Sequence, residues 1–183
     1  MKLSALAAAL ASLALIAPQA STAQTPAPPP PPSPLLPSLD AVPEKMPFDI
    51  PYGPPITLEQ AKAVIAGGIA ECARRGWKMN LAVMDSGANL VAFERMDGAQ
   101  LASGEIAQHK AKTAVLFRRD TKVFETNVTN GMVYQFTLDG MIASRGGIPL
   151  VQGGKLIGAV GSSGGAGGQD EVCAKAAAAV INK

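Results

Sequence analysis

Gly147-Ile148-Pro149-Leu150-Val151-Gln152-Gly153-Gly154-Lys155-Leu156-Ile157-Gly158-Ala159-Val160-Gly161 is the stretch that decides the fold. Two apolar, β-rich runs flank a Gly-Gly pair, and glycine accepts the positive φ angles that tight hairpin turns demand. The stretch reads as an antiparallel hairpin. Upstream, residues 77–84 alternate and then turn apolar, Asp85-Ser86-Gly87-Ala88-Asn89 carries turn chemistry, and residues 90–95 supply a return strand. That is a second hairpin.

Helical patterns surround these hairpins. Thr57-Leu58-Glu59-Gln60 matches a capping box, in which threonine and glutamine satisfy the open donors of a helix start. Ala61, Val64, Ile65, Ile69 and Cys72 continue at helical spacing, and Gly76 supplies the stop. Ser103 reads as the cap of a second helix running to about Arg118, with Ile106, Lys110, Thr113, Ala114 and Phe117 along one side. Residues 120–126 read as a short helical turn and residues 132–136 as a brief strand or loop. Residues 169–182 form an alanine-rich closing helix with Asp170 and Glu171 suited to its first turn. Strands joined by tight turns pair antiparallel, so the order predicts an α+β domain: a single small antiparallel sheet with helices packed against it, in profilin-like layering. A doubly wound parallel fold does not fit.

The rest of the chain is of a different kind. Of its 183 residues, Met1-Lys2, fifteen uncharged, mostly apolar residues and Ser21-Thr22-Ala23 read as a signal peptide over residues 1–23. The apolar run is shorter than the roughly 20 residues of a spanning helix, so no stable membrane insertion is expected. Thirteen of the fifteen prolines fall between residues 24 and 55, which read as a disordered linker, leaving residues 56–183 for the domain. The expected location is therefore periplasmic or secreted. In such a compartment Cys72 and Cys173 either form a disulfide between the first and last helices or stay separate and buried. The formal charge of +2, with no long basic run, argues against nucleic acid as a partner.

Several motifs invite chemistry. Gly161-Ser162-Ser163-Gly164-Gly165 matches a hydrolase G-x-S-x-G, but the chain's one histidine, His109, precedes the serine, and further glycines blunt the sharp turn that motif needs. Serine hydrolysis is disfavoured. Gly164 and Gly165 lie before a helix N-terminus, where backbone donors suit a carboxylate or phosphate. His109 is a possible haem axial ligand or a solvated surface residue. Lys110, on a helix side shared with apolar residues, needs an anionic partner, either Asp97 or an acidic ligand. No His, Cys and carboxylate cluster has zinc-site spacing, so no metal site is expected.

Taken together, Leu58-Glu59-Gln60-Ala61, Ala82-Val83-Met84-Asp85-Ser86-Gly87, Leu90-Val91-Ala92, Arg95-Met96-Asp97-Gly98-Ala99, Lys110-Ala111-Lys112-Thr113-Ala114, Gly146-Gly147-Ile148-Pro149-Leu150 and Ile157-Gly158-Ala159-Val160-Gly161 through Gln169-Asp170-Glu171 resemble the GlcG/HbpS-type haem-binding family, which includes the C-terminal domain of PduO-type proteins. The resemblance spans residues 57–182. It implies a compact α+β domain, homo-oligomers, and in some members haem binding with slow haem degradation, the protein being one that sequesters or senses haem. Arg95, Asp97, Lys110 and Thr113 fall on family-like positions and, with Gly146, Gly147, Gly164 and Gly165, form the expected ligand-binding set. The resemblance assigns no catalytic residue. Two other readings stand beside it: a binding protein or enzyme for a small organic acid or corrinoid, with another small anion as ligand, and an accessory structural subunit.

Overall fold

The computed structural model describes residues 48–182, together with residues 42 and 44–46. The expected signal peptide and most of the proline-rich stretch lie outside the described residues. Four helices and four strands follow in the order α1 (Leu58–Arg74), β1 (Asn80–Asp85), β2 (Leu90–Arg95), α2 (Ser103–Leu116), α3 (Lys122–Thr129), a 3-10 turn (Val133–Thr137), β3 (Gly147–Gln152), β4 (Lys155–Ser163) and α4 (Gly167–Ala178). The strands make one sheet in the order β2-β1-β4-β3, antiparallel throughout. Both hairpins are present, and they join through β1 and β4, with Val83 opposite Val160. Gly153 and Gly154 take φ values of +56° and +72° at the second turn.

The helices cover both faces of the sheet. On one face Leu81, Val83, Ile148, Leu150 and Val160 pack against Val64 and Ile65 of α1 and Ala174 and Ala177 of α4. On the other, Met84, Leu156 and Ala159 meet Ala111, Ala114 and Val115 of α2. Small residues let α2 lie unusually close. A Cβ at Gly161 would run into the Ala107 carbonyl oxygen, and one at Gly147 into that of Lys110. Two of the chain's sheet glycines are thus explained by backbone-to-backbone contact and not by a ligand.

Local expectations fared unequally. The Thr57 capping box is present, with Thr57 Oγ1 accepting from the Gln60 N–H at 3.2 Å and the Gln60 side chain accepting from the Thr57 N–H. Ser103 does not cap α2. Ala102 holds the cap position with no side-chain bond, and the Ser103 hydroxyl, inside the helix, donates to Gln100 Oε1. Residues 133–137 are a 3-10 turn and not a strand.

Residues 48–56 form a strap and extend the described domain N-terminal to the expected boundary at residue 56. Tyr52 bridges Leu156 in parallel register, the Gly53 N–H donates to the Leu156 carbonyl at 2.8 Å, and the Leu156 N–H donates to the Pro51 carbonyl at 2.9 Å. The Tyr52 hydroxyl donates to the Val115 carbonyl, and the Arg119 guanidinium lies 3.2 Å from the centre of the Phe48 ring. The prolines obscured this in the sequence, because proline composition reads as linker even where neighbouring Phe48 and Tyr52 find partners.

Candidate functional site

Residues that bridge layers hold the end of the sheet where β4 runs into α4. Lys110 of α2 is 1% exposed, and its Nζ donates to Asp170 Oδ2 of α4 at 2.7 Å and to the Ser162 carbonyl at 3.3 Å. This corrects the expectation for Lys110: its anionic partner is neither Asp97 nor a ligand but Asp170. Burying two charges costs several kcal/mol per ion, which only such close pairing offsets. Burial pushes the Asp170 carboxyl up. The Lys110 hydrogen bond and charge and the Gly165 and Gly164 amides pull it back, and the balance stays above the ordinary carboxylate value.

The glycine loop is corrected on the same grounds. The Gly165 N–H donates to Asp170 Oδ1 at 3.0 Å, so the anion this loop cradles belongs to the protein itself. Thr113 is also internal. Its fully buried hydroxyl donates to the Gly140 carbonyl at 2.9 Å and accepts from the Ile142 N–H at 3.1 Å, which pins the connection before β3 to α2. Gly146 and Gly147 pack against Ser162 and Lys110 backbone oxygens, with no room for a ligand between them. Beside this pair, Glu171 accepts from Lys122, Arg145 and Lys175. Burial works to raise the Glu171 carboxyl, but the hydrogen bonds from Lys175 and Lys122 outweigh it and hold the group below its ordinary value.

Open space lies instead around Trp77 and Lys78, just after α1. One cleft of about 510 Å³ is lined by Ile69, Ala73, Trp77, Met96 and the charged Lys78, Glu94, Arg95 and Asp97. A second, of about 340 Å³, shares Gly76, Trp77 and Lys78 and continues to Met79, Gln100, Gly165 and Gln169. Arg95 and Asp97 of the expected set therefore line the first cleft, and Gly164 and Gly165 line the second. Lys110, Thr113, Gly146 and Gly147 line neither. His109 is exposed on α2 and lines neither cleft. Cys72 and Cys173 form a disulfide with Cα atoms 5.6 Å apart, tying the end of α1 to α4.

A family model described as "Haem degrading protein HbpS-like" matches residues 56–179. The chain belongs to this HbpS-like family. It is 43% identical over 108 residues to Protein GlcG of Escherichia coli K12, covering 59% of this chain and 81% of that protein. Among solved structures, a double mutant of Streptomyces reticuli HbpS superposes with a TM-score of 0.66 at 26% identity, covering 80% of this chain and 100% of that one. A PduOC:heme complex superposes with a TM-score of 0.63 at 25% identity, covering 70% and 96%. The HbpS-like fold thus contains both clefts within its matched span. Trp77, Lys78, Gln100 and Gln169 were missed in the sequence. Trp77 and Lys78 read there as the start of a strand, but strand β1 begins only at Asn80, which frees both to form a wall.

Proposed function

We propose that the chain binds haem, with the porphyrin ring in the Trp77–Met96 cleft. The observation that carries this reading is the composition of that cleft: Ile69, Ala73, Trp77 and Met96 offer apolar surface, and Lys78 and Arg95 stand at the same walls as cations, beside the carboxylates Glu94 and Asp97. An amphiphile with an apolar ring and two carboxylates needs both. Family membership and the PduOC:heme neighbour support it. The residues fit the group, since aromatic and aliphatic contacts would hold the ring and Lys78 or Arg95 would pair with propionates. Bound haem supplies its own iron and oxygen chemistry for slow degradation, and the chain's residues orient it and limit its exposure to water.

Two further parts belong to this reading. We place the mature protein outside the cytoplasm, because the signal-like start and the Cys72–Cys173 disulfide both suit an oxidising compartment. We also propose a homo-oligomer, because Val133, Tyr134 and Phe136 leave 63%, 53% and 65% of their surface exposed, and light scattering tests it. Sequestering or sensing follows from tight, reversible haem capture. Titration with hemin tests the function: a saturable Soret shift at micromolar hemin is expected, weakened at least fivefold in Arg95→Ala combined with Lys78→Ala. Absence of a shift would remove the reading.

A further inference from the structure

The smaller cleft differs in chemistry from the one assigned to the ring. Its lining includes one cation, Lys78, and two amides, Gln100 and Gln169, but no carboxylate. Both amides have their oxygen ends engaged internally: Gln169 Oε1 accepts from the Ala166 N–H at 2.9 Å, and Gln100 Oε1 accepts from the Ser103 hydroxyl at 3.3 Å. That leaves the two NH2 groups, which among the described residues have no acceptor. Lys78 forms no ion pair among the described residues, and the absence of a Cβ at Gly98 leaves room for its ammonium, which would sit 3.1 Å from such an atom. The Gly165 N–H is consumed by Asp170 and adds nothing. A cleft whose side chains present these three donors and no carboxylate matches an acceptor-only group.

We propose that this cleft is a carboxylate-binding subsite, with Lys78 as the charge partner and Gln100 and Gln169 as hydrogen-bond donors. It takes either a free small organic acid or a carboxylate carried by a larger ligand seated next door, since the clefts share Trp77 and Lys78. The test is calorimetric titration of the full chain with succinate, with neutral succinamide alongside. Saturable succinate binding, no succinamide binding, and at least tenfold weaker succinate binding in Lys78→Met and weaker binding in Gln100→Leu are expected. Lys78 is exposed, so its variant should keep the parent's melting temperature. No succinate binding, equal binding of succinamide, or an unchanged Lys78→Met overturns the proposal. Repeating the succinate titration on protein loaded with hemin or with hemin dimethyl ester separates the sources. Blocking by hemin alone assigns the subsite to a propionate, and blocking by neither assigns it to a free acid. Blocking by both puts a ring in the cleft and contradicts carboxylate recognition. A failure of hemin to bind leaves the succinate result standing, so the two readings fail separately.

Discussion

Lys110 and Asp170 meet with 1% and 4% of their side chains exposed, and their pairing decides what the neighbouring residues do. Removing one partner strands a buried charge. Lys110→Met should therefore lose about 3–5 kcal/mol in urea unfolding, whereas Lys110→Met with Asp170→Leu should recover most of that loss. Equal destabilisation by the single and double variants would show that the pair is not coupled. The sequence showed that Lys110 shares a helix side with apolar residues and needs an anion. Its partner was not legible, because Asp170 lies sixty positions away and a first-turn aspartate is already accounted for by the helix dipole. The glycine loop was illegible for a related reason: its Gly165 donor is taken by Asp170 of α4, a contact that the run of glycines does not show.

At the scale of elements, close approach and cross-links carry the predictions. Gly161→Ala should force α2 away from β4 and cost about 1–3 kcal/mol, measured by chemical denaturation. The Cys72–Cys173 disulfide closes a separation of 101 residues, and Cys72→Ser should lower stability by about 2–4 kcal/mol while loosening the wall that ends in Trp77 and Lys78. Its check is the melting curve with and without reductant, which should converge on that of the variant. Acid sensitivity belongs to the α3–α4 contact. The Glu171 carboxyl is held below its ordinary value of 4.5, so its stabilisation is complete above 4.5 and is lost as pH falls through the lower folded value. Asp170 is raised and runs in the opposite sense, losing stability as pH rises through its shifted value. The melting temperature should fall below pH 4.5, and Glu171→Gln should lower the curve above pH 4.5 and flatten that limb.

Across the molecule, the hairpins, the four helices, α3 as a short turn, and the antiparallel sheet were legible because periodicity and Gly-Gly turn chemistry act locally. The division of helices between the two faces was not, because α2 approaches the sheet through glycines that read equally well as turns. The candidate site was half legible. Arg95 and Asp97 sit on a cleft wall, but Trp77, Lys78, Gln100 and Gln169 come together only in the fold, from the stretch after α1, the β2–α2 connection and α4. Haem capture in the Trp77–Met96 cleft is decided by hemin titration of the native chain beside Ala73→Trp. Ala73 is an exposed residue of α1 that lines that cleft, and a tryptophan there fills it. A saturable Soret shift in the native chain that disappears in Ala73→Trp is the predicted result, and no shift in the native chain, or an equal shift in both, would contradict the claim.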